Sequence, residues 1–270
     1  MCNEMDEIDF LQTFADEEGC KEFLYKLKWK NGFICRRCGS KEFWKGRTRF
    51  HARCRKCGYD ESLTAHTIFQ KIHIPLVKAF SIIYHVVVYK KGRSTLDLSR
   101  TISVSQKSVW YFKRKLQEVM GADVSEEGLL SLTKKAGIVD GLILTRRGKK
   151  LDGLQRVILG PGTSFEKLSA PVTKVNTAIS EPEIFEPCHL VGGRYVDEGK
   201  SIYYYNFRSW LTGIHHHCSA KYLQGYFDEF NFRFTYRRDG LKIWYRFLTT
   251  AMRCRPFDLA GNGAKSNNRV

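Results

Sequence analysis

The chain has 270 residues, with 45 Lys+Arg against 28 Asp+Glu and a formal net charge of +17. Its 43% hydrophobic and 27% charged content excludes collagen-like, wholly disordered and coiled-coil classes, and the charge points to a polyanionic partner. The most apolar stretch, residues 79–89, is far shorter than the roughly 20 residues a bilayer-spanning helix needs. The first residues are acidic, so neither membrane insertion nor a signal peptide is expected. Nine cysteines without an export signal suit a reducing, cytoplasmic compartment and metal binding better than a disulfide framework.

Charge is uneven along the chain. Residues 1–30 carry eight acids and four Lys, whereas residues 31–120 carry nineteen Lys+Arg against five acids, a local balance of +14. A basic block of this kind attracts phosphate and makes binding salt-dependent.

In chain order, residues 9–29 place Phe10, Leu11, Phe14, Phe23, Leu24 and Leu27 at helical spacing, which predicts a short helix, an interruption at Gly19 and a second helix. This segment, 1–30, reads as a packing element. Next come Cys35-Arg36-Arg37-Cys38 and Cys54-Arg55-Lys56-Cys57, two C-x2-C pairs fifteen residues apart, each followed by glycine. Two thiolates from each tight knuckle reach one ion, and Gly39 and Gly58 permit the positive φ such a knuckle requires. Residues 31–73 are therefore expected to form a zinc ribbon, its short strands carrying Phe43, Trp44, Phe50 and Tyr59. Four thiolates leave no open coordination position, so the Zn²⁺ is structural. The knuckle cations, with Arg47, Arg49 and Arg53, either touch phosphate or form a solvated face.

Residues 74–122 read as helices. Pro75 suits a helix start, residues 76–89 are apolar nearly all round, and Gly92 ends that helix. Ser94 or Thr95 caps a short helix, residues 101–104 make a turn, and Ser105 caps a longer helix over 106–120. Val109, Phe112, Leu116 and Val119 form its apolar face, opposite Gln106, Lys107, Trp110, Lys113, Arg114 and Gln117. This is a helix-turn-helix layout, in which Gln106, Lys107, Trp110, Lys113 and Arg114 would face a major groove of double-stranded DNA.

The remainder is less regular. Asp140 sits in an apolar, β-like run over 136–144, either as a turn residue, the more usual reading, or as a metal ligand projecting from a strand. Four prolines between 161 and 187 predict a loop or linker. Leu223, Phe227, Phe230 and Phe234 predict an amphipathic helix over 219–238 that packs into a core.

Several of these pieces together resemble one family. The two Cys pairs, residues 64–69 (Thr-Ala-His-Thr-Ile-Phe), the Ile74-Pro75-Leu76 helix start and the helix over 106–120 are similar to the N-terminal half of zinc-ribbon insertion-sequence transposases. The stretch from Asn206 to His216, the helix over 222–230 and the closing Arg237-Arg238 resemble that family's C-terminal end. The resemblance implies a multidomain α+β chain: zinc ribbon, helix-turn-helix and a reduced RNase H-like α/β domain over 134–254.

It also implies metal-dependent strand cleavage and transfer at terminal inverted repeats. Asp140 matches the first metal-binding position, and Asn206 with Arg208 matches the third; Mg²⁺ or Mn²⁺ is the implied catalytic ion. The family's second Asp has no clear counterpart here, and the nearest acids before Asn206 are Asp197 and Glu198, with Asp197 the candidate ligand. Without that carboxylate the chain reads as an inactive remnant that only binds DNA. His215 to His217 are expected either beside DNA or metal, or on a solvated turn. The resemblance further suggests a nucleoid-associated protein, with a homodimer as the expected assembly. RNA binding is the lesser alternative, because a helical groove reader is expected and no aromatic stacking sheet is evident in the sequence.

Overall fold

The computed structural model describes residues 12–89, 91–123, 202–216, 218–240 and 242–253, together with the strand backbones of 139–144, 154–159, 173–174, 188–191 and 194–197. The chain divides into two compact units. One contains the segment up to Phe80 and the chain from Leu248, the other Ser81–Phe247.

The first unit begins with α1 (Glu17–Lys28). The break in this region falls at Asp16 rather than at Gly19: the Asp16 side chain accepts from the Gly19 backbone N–H at 2.6 Å, so Gly19 lies inside the capped first turn. Phe14, Phe23 and Phe80 meet edge to face, with Phe14 5.1 Å from each of the other two ring centroids. Three short strands follow, β1 (Phe43–Lys45), β2 (His51–Cys54) and β3 (Asp60–Ser62), in an antiparallel sheet of order β1-β2-β3. Phe33, Cys35, Ala52 and Cys54 form the small buried core beneath it. The sheet is fastened to α1 by Lys28, whose Nζ lies 2.8 Å from Glu61 and donates to the carbonyls of Ser62 and Ala65. Both members of that pair are buried, and desolvation pulls the Lys28 pKa below its ordinary value despite the carboxylate.

Helix α2 (Leu76–Val87) spans the boundary between the units, and its buried Ile82, Ile83, Val86 and Val87 belong to the second. Helix α3 (Thr95–Ile102) is capped by Ser94, whose hydroxyl accepts from the Asp97 N–H. It ends at Ser103, which adopts a left-handed conformation with φ 54°. Ser105 then caps α4 (Gln106–Asp123), and α3 packs on α4. Val109, Phe112, Leu116 and Val119 are all buried, as the spacing requires.

Beyond these helices, β4 (Val139–Leu144), β5 (Leu154–Leu159) and β6 (Thr173–Lys174) form an antiparallel sheet of that order. β7 (Cys188–Val191) and β8 (Arg194–Asp197) form a separate hairpin. Apart from the two residues of β6, the proline-rich region over 161–187 lies outside the described residues. Helices α5 (Ile202–His215), α6 (Ala220–Thr235) and α7 (Lys242–Ala251) complete the chain. Tyr203, Tyr204, Phe207 and Leu211 of α5 interlock with Leu223, Phe227 and Phe230 of α6 in an aromatic core. β4 runs beside α5, and α4 packs along α6.

Candidate metal centre and nucleic-acid interface

The two knuckles are built alike. Gly39 N–H donates to the Cys35 carbonyl at 2.8 Å and Gly58 N–H to the Cys54 carbonyl at 3.1 Å, while Cys35 and Cys54 N–H donate to the Ser40 and Tyr59 carbonyls. Both glycines sit at positive φ, 73° and 69°, where a β-carbon would be strained. The loops converge so that the four Sγ atoms of Cys35, Cys38, Cys54 and Cys57 lie within 4.8 Å of one another. The Cys35–Cys57 and Cys38–Cys54 separations are 3.6 and 3.5 Å. Tetrahedral Zn²⁺ with Zn–S bonds of about 2.3 Å places sulfurs roughly 3.8 Å apart. The donor set and its geometry therefore fit a structural zinc ion.

Around this centre the cations divide. Arg49 pairs with Glu18 and Glu22 of α1, Arg36 lies 3.8 Å from Glu61, and Arg47 lies 3.9 Å from Asp60. Arg37, Arg53 and Lys56 are exposed and form no ion pair among the described residues. On β1, Phe43, Trp44 and Lys45 are all exposed. Trp44 stands opposite Arg53 in the register, and the Arg55 guanidinium lies 4.1 Å from the Trp44 ring centroid. The short aromatic-bearing strands expected from the sequence are thus present, and one of them leaves its aromatic exposed among cations, which alternation alone did not reveal.

The face of α4 assigned to a DNA groove requires correction. Gln106 and Lys107 are exposed, but Lys113, Arg114 and Gln117 are buried against α6. Lys113 Nζ lies 3.1 Å from Glu229 and donates to the Arg93 carbonyl; Gln117 donates to the same carboxylate at 2.7 Å. Burial lowers the Lys113 pKa even beside that acid. Arg114 donates to the Tyr222 carbonyl and lies over the rings of Tyr226, Tyr222 and Trp110. Trp110 itself meets Tyr222 edge to face. The physical reason is a polar partner helix: a face that helical periodicity marks as hydrophilic is covered by acids and aromatic rings instead of water.

Two glycines allow this close approach. A β-carbon on Gly121 would come 2.9 Å from Asp228, and one on Gly225 would come 2.8 Å from Arg114. Asp228 accepts from Gln224 at 2.8 Å, and burial pushes its carboxyl pKa up to about 7. The acids Asp228 and Glu229 escaped sequence reasoning. Their signal was two carboxylates inside the aromatic run from Tyr226 to Phe234, which solvation alone does not explain.

Asp140 lies in β4 and pairs with Ile158 of β5, which overturns the turn reading. Asn206 is exposed on α5, the helix beside which β4 runs. Arg208 is half-buried, and its guanidinium donates to the Tyr204 hydroxyl one turn earlier at 3.2 Å. Asp197 ends β8 opposite Cys188, in a different sheet from Asp140. His216 is exposed, but His215 packs 4.4 Å from the Tyr226 ring, and burial near Lys113 and Arg114 drives its pKa down to about 2; it is a neutral packing group. His217 lies outside the described residues. No helix among the described residues is long and apolar enough to cross a membrane.

Comparison with known proteins places both ends of this arrangement. Residues 15–60, spanning α1 and the four cysteines, match the transposase zinc-ribbon domain, and residues 198–235, spanning α5 and α6, match the ISXO2-like transposase domain. No curated protein and no solved structure matches the chain. Helices α2 to α4 and Asp140 fall outside both matched segments.

Proposed function

We propose, from the matches of residues 15–60 and 198–235 to two transposase domains, that the chain is a zinc-ribbon insertion-sequence transposase that binds double-stranded DNA at element ends and cleaves and transfers strands there. The observation that carries this reading is the pairing of two transposase segments with a conspicuously basic region between 31 and 120. The zinc-held ribbon presents Arg37, Arg53 and Lys56 to phosphate. The exposed first turn of α4, with Gln106 and Lys107, takes the groove-facing role, since the N-terminal residues of a recognition helix are the ones that reach base edges.

For the chemistry, Asp140 on β4 and Asn206 on α5 supply oxygen donors from two neighbouring elements, and these suit Mg²⁺ or Mn²⁺. A divalent ion bound there supplies the charge that activates an attacking hydroxyl and stabilises the leaving oxygen. Arg208, steadied by Tyr204, offers a cation to the phosphate. Asp197 is the candidate for the remaining carboxylate.

The second reading is DNA binding without catalysis. It is favoured by the placement of Asp197 in the β7–β8 hairpin, unpaired with the sheet that carries Asp140. Incubating the zinc-loaded chain with cognate end DNA and Mn²⁺ separates the two. Cleavage abolished by Asp140→Ala supports the enzyme. Absence of cleavage by the wild-type chain supports the binding module, and cleavage unaffected by the substitution overturns the assignment of Asp140.

A further inference from the structure

Trp44 is 57% exposed on the edge strand of the ribbon, where an indole loses hydrophobic stabilisation unless something covers it. Antiparallel register puts Trp44 and Arg53 on one face, because directly opposed residues share a side of the sheet. The Arg55 guanidinium lies against the same indole, with Lys56 exposed next to it in sequence; Lys45 alternates to the other face, and the exposed Glu42 precedes Trp44 by two residues, leaving Arg53, Arg55 and Lys56 in excess. The surroundings are cationic, so the occupant must combine a flat apolar surface with negative charge.

A nucleotide has both. In a duplex each base is already covered by its neighbours, whereas an unpaired base offers a free π-face. We propose that the outer face of the ribbon sheet is a stacking platform for single-stranded DNA: an unpaired base lies on Trp44, and the flanking phosphates meet Arg53 and Arg55. The assignment of DNA rather than RNA rests on the transposase reading above. It gives the ribbon a task separate from that of α4, which is to hold frayed or displaced nucleotides rather than to read a groove.

The test uses the zinc-loaded full chain, an oligothymidylate, an oligouridylate and a blunt duplex of the same length in dilute salt. Oligothymidylate is expected to quench tryptophan fluorescence. Trp44→Phe should keep the affinity while losing most of the quench, and Trp44→Ala should bind oligothymidylate roughly tenfold more weakly with its duplex affinity unchanged. Zinc content is measured for each variant. If the Ala variant sheds its metal, the Phe variant decides alone, and a quench that persists in it overturns the platform. The proposal also fails if the wild-type chain ignores oligothymidylate, if Trp44→Ala weakens both DNAs equally, or if oligouridylate binds more tightly than oligothymidylate. Failure of the wild-type chain to bind duplex, with the single-strand results intact, would instead remove the groove-reading role.

Discussion

Glu229 receives two donors from α4, Lys113 and Gln117, and is itself fully buried. Removing one partner of such a pair strands a charge away from water, which costs about 3–5 kcal/mol, whereas replacing both by apolar groups is often neutral. Glu229→Ala should therefore lower the thermal unfolding midpoint sharply, and Lys113→Met combined with Glu229→Leu should recover most of the loss. Equal destabilisation by the single and double variants in a melting series would contradict the pairing. Asp228 gives a pH dependence of definite sign. Its folded pKa is raised to about 7 from an ordinary carboxyl value, so the native state holds a proton that the unfolded chain releases. This group's contribution to stability is thus greatest at acid pH and is lost as pH rises toward 7. Asp228→Asn should stabilise the protein by roughly 1 kcal/mol or more at pH 8 and by little at pH 4; a gain independent of pH would refute the buried carboxyl. Neither acid was legible in the sequence, because Glu229 is explained by partners on α4 more than a hundred residues away and Asp228 is buried by the approach of Gly121 on that same distant helix.

At the scale of elements, the zinc ribbon was the most legible part. Its ligands are set by local spacing, and the glycines after Cys38 and Cys57 report the knuckle backbone directly. The small buried core of Phe33, Cys35, Ala52 and Cys54 is too slight to hold three short strands unaided. One zinc ion per chain is expected by metal analysis. Chelation or Cys38→Ser should abolish the ribbon's near-ultraviolet signal, and an unchanged signal in metal-free protein would rule out a structural ion. Helices α2, α3 and α4 were also legible, from Pro75, Ser94, Ser105 and the apolar spacing of α4. Their polar faces were not. Periodicity separates apolar from polar but does not distinguish water from a polar helix, so Lys113 and Arg114 read as groove-facing although α6 covers them.

Across the whole molecule, positive charge gathers between residues 31 and 120, in the ribbon and in the helices up to α4. The family matches lie at both ends and leave the intervening helices and Asp140 unmatched. Distribution of charge was readable without any structure, but the cations free to meet DNA were not, since Arg49, Lys28 and Lys113 are engaged by acids within the protein. DNA binding by the free cations is tested most directly by titrating the zinc-loaded chain with duplex DNA over a series of salt concentrations. Log affinity should fall linearly with log salt, and Lys56→Ala, which removes a phosphate-facing cation of the ribbon, should reduce that slope by roughly 1. A duplex that fails to bind in dilute salt, or binds with an affinity indifferent to salt, would contradict it.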